Sequence, residues 1–538
     1  MPTSTTRRDF LRKVGVAGGA GALFATMGAL ELGVTSDAVT PPFSSPQPAD
    51  FSLTGRAAAR VTVIGAGVAG LACAYELGKA GYDCTVLEAL PLAGGRNFTV
   101  RSGTAHTDLD HHTQTATFGD GEYFNAGPAR IAQWMVTVDY CRELGVPLEM
   151  FANTNANAYF YQQDAGMTPG HPVRRRAAKS DTFGYIAELL AKATDQGALD
   201  RELTPQDKER LLEFLRQFGG IGGPVRDNPA ASWAYTGGPQ RGYRVWPGAT
   251  YKPGIPGGPV PPLSAVLSYE IGQELAFETD YEQAMVMLQP VGGMDAIVSA
   301  LVREVGPSRV RLGCPVTSII NSDDQVRVTY RERGEEQVLD ADYCIVTVPP
   351  TICARIPHNL DSGVQRALTA YRPEPVGKIG LEYRSRWWET DHRIYGGITE
   401  TDLDIEQIWY PSNGFHSARG ILVGYYNTGY DAIKYAAMTP AAREARALEH
   451  GVRIHGPKHR AELASSFSIA WSRVPFVEGG WQNIPGGPQS PVYAPLNDAA
   501  GRVYFAGDWL SNQVSWQHGS FLSAQKAVTS LHSRVLSL

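Results

Sequence analysis

A short apolar run, a helical pattern and a second apolar run follow one another near the start of the chain. The first run covers residues 60–64, the helical pattern residues 68–77, and the second run residues 82–88. Short apolar runs bounded by turn residues are typical of strands buried in a parallel sheet. The pattern therefore predicts two parallel strands connected by a helix.

Three glycines between the first strand and the helix have the spacing of a dinucleotide-binding turn. Gly65 permits the tight turn, Gly67 lets the backbone approach a pyrophosphate at the helix N-terminus, and Gly70 lets the helix pack closely on the strand. Glu88 ends the second strand, where a carboxylate accepts hydrogen bonds from a ribose diol and disfavours a 2′-phosphate. The unit predicts dinucleotide binding, and by itself it leaves NAD and FAD open.

Helical and strand patterns alternate along the rest of the chain. Residues 150–289 change to charged helical stretches such as residues 207–218, and they carry no second nucleotide signature. We interpret this segment as an insertion that belongs to a substrate domain. Apolar runs predict further strands at residues 310–319, 325–331, 343–350, 378–383, 408–410 and 420–426.

Length and charge bound the class of protein. The chain has 538 residues, of which 43% are hydrophobic and 19% charged, and its formal net charge is −6. This length suffices for two or three globular domains. A negative net charge provides no basic surface for nucleic acid. We therefore expect small, diffusible substrates.

The N-terminal residues resemble an export signal. Arg7 and Arg8 precede a moderately apolar, glycine-rich stretch at residues 14–30. This pattern is typical of twin-arginine signals, which direct the export of folded proteins to the periplasm or the exterior. The alternative is a membrane anchor, but the stretch falls short of the roughly 20 strongly apolar residues that a span needs. We assign residues 1–40 to the signal and residues 41–58 to a linker.

Cysteines and histidines give no metal signature. Of the six cysteines, Cys73, Cys84 and Cys344 lie inside apolar helix or strand patterns, so free buried thiols are favoured over disulfides. The twelve histidines include His518 near the C-terminus, for which packing and proton handling both stay open. No HExxH or CxxC arrangement occurs, and we expect no metal site.

Motifs at both ends of the chain resemble one family. The late segment at residues 501–509 contains Gly507-Asp508-Trp509, residues 516–520 read Trp-Gln-His-Gly-Ser, and Gly94-Gly95-Arg96 follows the first unit. Together with the glycine turn, these motifs resemble the flavin amine oxidase family, and among its members the bacterial FAD-dependent L-amino-acid oxidases. The resemblance extends over roughly residues 60–535.

The resemblance implies an α/β fold. It would comprise a glutathione-reductase-like FAD domain of the Rossmann type, a mixed-sheet substrate domain and a helical insertion. The FAD domain would be discontinuous, with residues 59–149, 290–355 and 481–538. The substrate domain would contain residues 150–289 and 356–480.

The resemblance also implies that FAD is the cofactor and indicates the residues that hold it. Asp508 takes the place of the acidic residue that meets the ribityl chain, and the backbone of Val316 would reach the adenine. The complete expected set is Gly65, Gly67, Ala69, Gly70, Glu88, Ala89, Gly95, Arg96, Gly127, Pro128, Ala129, Arg130, Val316, Gly507, Asp508, Trp516 and Gln517.

Three further residues match substrate-site positions of L-amino-acid oxidases. Arg130 would hold the substrate carboxylate, because a guanidinium engages a carboxylate in a bidentate way. Tyr426 would share that carboxylate, although Tyr425, one residue away, stays an alternative. Lys378 matches the lysine that binds a water beside the flavin and would assist oxygen chemistry electrostatically. The competing interpretations are a surface arginine, two core tyrosines and an edge-strand lysine.

Two tryptophans match the aromatic walls of the amine channel in this family. Trp481 and Trp516 would exclude water and guide a neutral amine, and we expect both to share a catalytic role with Lys378. The competing interpretation is that they are core residues. Ser515 stands where relatives often have glycine, which would narrow the substrate site.

The activity implied is that of an exported FAD-dependent L-amino-acid oxidase. It would convert L-amino acids, mainly large neutral or aromatic ones, to 2-oxo acids, ammonia and hydrogen peroxide, with O2 as the second substrate. The alternatives are an amino-acid 2-monooxygenase with an amide product, a primary amine oxidase, and a secreted FAD-binding protein without turnover. No nucleic-acid partner and no stable membrane anchor are expected, and a homodimer is left open.

Overall fold

The structure, a computed structural model, describes residues 59–164, 166–267, 271–487 and 490–537. The predicted export signal and linker lie outside these residues. The described residues divide into two compact units. The smaller one contains residues 180–239 and 258–260, and the larger one contains the others.

A parallel five-stranded sheet lies at the centre of the larger unit. Its first two strands come from the glycine-turn unit, and later parts of the chain supply the other three. Ile64 pairs with Leu87 on one side and with Val346 on the other. The strand order is Val310–Arg311, Asp83–Leu87, Arg60–Ile64, Tyr343–Val346 and Val503–Phe505.

Helices cover this sheet because its strands are apolar on both faces. Val68–Lys79 follows the glycine turn and packs against Asp295–Val305 and against the last helix, Gln517–Ser537. The faces that meet contain Leu71, Leu301 and Phe521, all fully buried in one hydrophobic cluster.

One expected strand is in fact two. Residues 310–319 were predicted as a continuous strand, but Val310–Arg311 joins the parallel sheet and Val316–Asn321 begins a separate antiparallel sheet. Gly313 has a φ of +66°, and Pro315 lacks the N–H that a ladder requires, so the strand breaks between them. The antiparallel sheet consists of Val316–Asn321, Val326–Glu332 and Glu335–Ala341.

A seven-stranded mixed sheet forms the second layer that matters for the site. Most pairs of adjacent strands in this sheet are antiparallel, but Ile398–Thr401 runs parallel to Tyr159–Tyr161. Val376–Tyr383 is buried along its whole length because a strand lies on each side of it. The strand order is Leu463–Ala470, Val376–Tyr383, Gly420–Thr428, Gln407–Trp409, Ile398–Thr401, Tyr159–Tyr161 and Val173–Arg174.

Short strand pairs and helices complete the larger unit. The strand pairs are Thr99–Val100 with Phe124–Asn125, Ala105–Thr107 with Thr113–Thr115, Leu148–Ala152 with Val286–Pro290, Arg372–Pro373 with Gln482–Asn483, and Tyr243–Val245 with Ile255–Pro256. The other helices are Val136–Glu143, Leu263–Val266, Ile271–Ala276, Pro350–Cys353, Ser362–Ala370, Trp387–Thr390, Gly429–Ala436, Pro440–His455, Lys458–Ala461 and Ala494–Asn497.

The smaller unit is helical. It contains most of the helix Arg175–Asp195 and the helix Pro205–Gly219, which extends the helical pattern predicted for residues 207–218. Thr204 caps the second helix by accepting a hydrogen bond from the Asp207 N–H at 3.2 Å, and Gly220 ends it with a φ of +61°. A small core, with Leu215 and Trp233 among its buried residues, holds the unit together.

All six cysteines are buried and unpaired, as the sequence pattern predicted. Across the helices that the structure describes, none combines the length and the apolar character that a membrane span requires.

Candidate active site

A cavity of about 650 Å³ extends from the carboxyl ends of the parallel strands to the mixed sheet. Every residue that the sequence marked as a site residue lines this cavity except Gly70. Ligands bind at the carboxyl edge of open parallel sheets, so the position agrees with a cofactor site. The fold therefore brings together side chains that lie hundreds of positions apart in the chain.

The helix N-terminus at the glycine turn is open toward the cavity. Gly67 is the N-cap residue of Val68–Lys79 and provides no side-chain cap, and an added Cβ there would meet nothing within 4 Å. A Cβ on Gly70 would lie 1.9 Å from the carbonyl oxygen of Gly65, so Gly70 serves helix packing, as predicted. The uncapped N–H groups and the free space suit a pyrophosphate.

Glu88 lies at the far end of the same edge. Its two carboxylate oxygens accept hydrogen bonds from the backbone N–H groups of Ala66 at 2.7 Å and Leu90 at 2.9 Å. Burial raises the pKa of Glu88, while these hydrogen bonds lower it. Each oxygen keeps a lone pair for a further donor, as a ribose diol requires. Ala89 and Val316 line the cavity beside it.

Arg96 joins two segments of the cavity wall. Its guanidinium forms an ion pair with the buried carboxylate of Asp508 and donates a hydrogen bond to the carbonyl oxygen of Gly480 at 2.9 Å. Asp508 also accepts the Ser515 N–H at 3.0 Å. One carboxylate thus fixes both the arginine and the turn that precedes Trp516.

Lys378 lies on a central strand rather than at an edge, so the edge-strand interpretation is wrong. Its Nζ donates a hydrogen bond to the carbonyl oxygen of Gly127 at 2.5 Å and lies 4.8 Å from the ring centroid of Trp409 and 4.7 Å from that of Tyr426. Burial, followed by the positive charge of Arg130, lowers the pKa of Lys378 to about 7. At neutral pH this amine is therefore able to hold or release a proton.

Arg130 carries an unsatisfied donor at the cavity. Its Cζ lies 4.5 Å from the ring centroid of Trp409 and 5.7 Å from that of Phe277. Its Nη1 is buried and has no hydrogen-bond partner among the residues that the structure describes. Burial lowers the pKa of Arg130 to about 10, so the guanidinium stays charged at neutral pH. A buried cationic donor without a partner favours an anion as ligand.

The two neighbouring tyrosines face opposite sides of their strand. Tyr426 lines the cavity, whereas Tyr425 is fully buried and packs against Tyr435, with ring centroids 4.6 Å apart. Burial raises the pKa of Tyr426, so its hydroxyl keeps its proton. The structure therefore places Tyr426 rather than Tyr425 beside Arg130.

Both predicted wall tryptophans line the cavity. The indole N–H of Trp481 donates to Asn483 at 3.2 Å, and that of Trp516 donates to the carboxylate of Glu282 at 2.9 Å. Ser515 has a φ of +74°, in the left-handed region that favours glycine. This backbone angle explains why glycine suits the position.

Three neighbours of the site were not singled out from the sequence. The sequence pattern indicates only a strand at Trp409, whereas the structure shows that its side chain lines the cavity. Phe277 and Glu282 belong to the insertion, whose sequence gives no spacing signal for a site. Through its hydrogen bond to the indole of Trp516, Glu282 places a carboxylate next to one of the cavity walls.

Histidines and carboxylates outside the cavity have structural partners. His518 accepts the Val136 N–H at 3.0 Å, which favours its packing role. Asp108, Asp110 and His112 have potential metal-ligand atoms within 4.8 Å of one another. However, Asp108 already accepts the backbone N–H groups of Asp110 and His112, each at 2.9 Å. The arrangement stabilises a turn and carries no further argument.

A dinucleotide-type fold whose cavity combines an open helix N-terminus with buried cations and aromatic walls suits an oxidoreductase with a dinucleotide cofactor. The chain belongs to the family of flavin-containing amine oxidoreductases, whose model matches residues 68–532. The residues around the cavity fit FAD: Gly67 could meet the pyrophosphate and Glu88 the ribose, and the ion pair of Arg96 with Asp508 and the indole of Trp516 also line the cavity.

The chain is similar to L-amino-acid oxidases of vipers. It is 25% identical to that of Bothrops pauloensis over 469 residues, which is 85% of this chain and 86% of that protein. It is 26% identical to that of Echis ocellatus over 479 residues, 85% of each chain. Cyclohexylamine oxidase from Brevibacterium oxydans shares the fold, with a TM-score of 0.58 and 17% identity, covering 89% of this chain and 99% of that one.

Proposed function

We propose that this protein is an exported FAD-dependent L-amino-acid oxidase. It would convert L-amino acids, mainly large neutral and aromatic ones, with water and oxygen to 2-oxo acids, ammonia and hydrogen peroxide. The observation that carries the proposal is the buried Arg130 Nη1 without a partner in the described part of the chain, at the cavity that fits FAD.

Arg130 would bind the α-carboxylate of the substrate. A cation that is held against aromatic rings and keeps an Nη1 without a hydrogen-bond partner in the described residues gains a charge-assisted hydrogen bond when a carboxylate enters. The hydroxyl of Tyr426, which keeps its proton, would donate a second hydrogen bond to the same group. A simple amine offers no partner for this pair, which argues against a carboxylate-free amine oxidase.

Lys378 and the two wall tryptophans would act on the other end of the substrate. Bound FAD supplies the two-electron oxidation of the amine carbon. Lys378 uses one of its protons on the carbonyl of Gly127, and the remaining positions on Nζ are available to orient a water and to stabilise negative charge as oxygen is reduced. Trp481 and Trp516 would exclude bulk water from the reacting carbon.

A peroxide assay across the twenty L-amino acids tests the activity. We expect peroxide, ammonia and a 2-oxo acid in equal amounts with large neutral substrates. An amide product would instead indicate an amino-acid 2-monooxygenase. If L-amino acids fail to bleach the flavin in the absence of air, the protein is a FAD-binding protein without this activity.

Export is tested separately, because the predicted signal lies outside the described residues. We expect the full-length chain to appear outside the cytoplasm with its flavin bound. The double change Arg7→Lys and Arg8→Lys keeps the charge but removes the arginine pair, and it should leave the folded protein in the cytoplasm. Equal export of both forms would contradict the twin-arginine route.

A further inference from the structure

Trp409 contacts both cations of the site. It is 5% exposed and belongs to the strand Gln407–Trp409. The Cζ of Arg130 lies 4.5 Å from its ring centroid, and the Nζ of Lys378 lies 4.8 Å from it. A single indole ring therefore contacts both of the charged groups that the proposed function requires.

The two cations are unfavourable neighbours. The charge of Arg130 is one of the causes that lower the pKa of Lys378, so the two groups are within electrostatic range of each other. In the part of the chain that the structure describes, neither group forms a hydrogen bond or ion pair with a carboxylate, and the charge of Glu400 offsets only part of the effect of burial on the pKa of Arg130. The negative face of an indole attracts cations, and this attraction increases when the groups are desolvated. Trp409 thus offsets part of the cost of keeping both cations at the cavity.

A hydrogen bond and an aromatic contact fix the orientation of the Trp409 indole. Its N–H donates a hydrogen bond to Oε1 of Gln407 at 2.7 Å, and Gln407 in turn hydrogen-bonds the buried carboxyl of Glu400 on the adjacent strand. The ring edge packs against Tyr426, with centroids 5.1 Å apart and planes at 77°. These contacts leave the ring little freedom to rotate away from the cations.

We propose that Trp409 is a positioning residue that holds Arg130 and Lys378 at separate, fixed places through the face of its indole ring. The inference rests on the proposed function and adds a residue that couples carboxylate binding to the oxygen step. A variant without an aromatic face at position 409 should therefore impair both carboxylate binding and the oxygen step. Changes at Arg130 should impair mainly carboxylate binding, and changes at Lys378 mainly the oxygen step.

The test compares Trp409→Phe, which keeps an aromatic face, with Trp409→Leu, which removes it. Trp387→Leu serves as the matched control, because Trp387 is a buried tryptophan in a cluster that does not line the cavity. The measurements are the Kd of benzoate by calorimetry, the KM and kcat for L-phenylalanine, the rate of the oxygen half-reaction, and the unfolding midpoint of each purified flavoprotein.

We expect Trp409→Leu to raise both Kd and KM about tenfold and to slow the oxygen half-reaction, with Trp409→Phe within about threefold of the parent. Trp387→Leu should lower the unfolding midpoint and leave Kd and KM unchanged. The inference is overturned if Trp409→Leu binds benzoate like the parent, or if Trp409→Phe is as impaired as Trp409→Leu. Absent turnover of L-amino acids by the parent would overturn the proposed function instead, and the benzoate Kd would still decide the role of Trp409.

Discussion

Lys378 and Tyr426 are cross-strand partners in the mixed sheet, and the lysine Nζ lies 4.7 Å from the centre of the tyrosine ring. Residues opposite each other in an antiparallel pair present their side chains to the same face. The register of these two strands therefore places the amine and the phenol together on the cavity side. A register shift of one residue would have placed the side chain of Tyr426 in the core and that of Tyr425 at the cavity.

Arg130→Ala should raise the KM for L-amino acids strongly while FAD stays bound. The variant removes the cation that we assign to the carboxylate, and losing such a charge-assisted contact costs roughly 2–5 kcal/mol. Steady-state kinetics with L-phenylalanine measure the change, and the flavin absorbance reports the cofactor. Arg130→Lys is the matched control, which keeps the charge and should recover part of the loss. Unchanged KM and kcat in the alanine variant would remove Arg130 from the substrate site.

Lys378→Met should slow the oxygen half-reaction more than the anaerobic one. Methionine keeps the length of the side chain but loses the amine, whose proposed task begins when negative charge develops on oxygen. Stopped-flow measurements of the two half-reactions separate the effects. A defect confined to the anaerobic step would show that the lysine acts on the amino acid and not on oxygen.

The effect of a substitution at Ser515 on the free energy of unfolding should depend on how well the new residue tolerates the left-handed backbone conformation. At a φ of +74°, a side chain is strained by about 1 kcal/mol, and glycine removes this strain at a similar cost in unfolded-state entropy. Ser515→Gly should therefore change the free energy of unfolding by less than about 1 kcal/mol. Ser515→Val should lower it by about 1–3 kcal/mol, because a β-branched residue tolerates this conformation least. Urea unfolding measures both, and a valine variant as stable as the parent would contradict the argument.

Acidification should destabilise the fold through two buried histidines. Burial lowers the pKa of His459 to about 3 and holds that of His455 well below its ordinary value, and the rings stack 5.4 Å apart. Above about pH 6.5 both imidazoles are neutral in the folded and unfolded chains, so their contribution to stability is fully present. Below that pH the unfolded chain gains protons that the folded chain rejects. Stability then falls by up to about 1.4 kcal/mol per pH unit for each histidine until the folded-state pKa is reached.

The unfolding midpoint measured between pH 7.5 and pH 5 tests this dependence. His459→Gln removes one titrating group and should make the decline shallower. His171→Gln, at an exposed position, is the control and should leave the slope unchanged. A midpoint that is the same at both ends of the pH range would show that the buried histidines do not control the acid response.

The cofactor half of the site was predictable because its signals are local. Gly65 adopts a φ of +104°, which favours glycine, and a Cβ on Gly70 would lie 1.9 Å from the Gly65 carbonyl oxygen, so both requirements arise within one turn. Such a requirement is visible in a dozen consecutive residues. The position of Glu88 followed from the same unit, since it simply ends the next strand.

The surroundings of the substrate residues depend on strand order, which the sequence does not reveal. Lys378 is buried because strands from residues 420–428 and 463–470 lie on either side of it. Trp409 contacts both cations because its strand pairs beside that of Tyr426. Glu282 belongs to the insertion and contacts Trp516, which lies far away in the sequence. Hydrophobic periodicity does not predict such a long-range contact.

The carboxylate of Glu282 should increase the preference for neutral over acidic substrates. In the proposed function Arg130 holds the carboxylate and the amine lies between Trp481 and Trp516, so the side chain of the substrate would extend toward the remaining walls. Burying an unpaired acidic side chain costs several kcal/mol, and a neighbouring carboxylate adds repulsion. Glu282→Gln removes the charge but keeps the hydrogen-bond acceptor for the indole of Trp516, so it isolates the electrostatic part.

We therefore expect large neutral L-amino acids such as phenylalanine, leucine, methionine or tryptophan to exceed L-glutamate in kcat/KM by at least about a hundredfold, as several kcal/mol imply. Glu282→Gln should narrow this ratio without changing the rate on L-phenylalanine. The D-isomers should fail, because fixing the carboxylate and the amine turns the Cα–H away from the oxidising face. Steady-state peroxide assays on each substrate measure these ratios. Preferential turnover of L-glutamate would refute the assignment of the pocket, and comparable rates on D-phenylalanine would refute the assignment of Arg130 as the anchor.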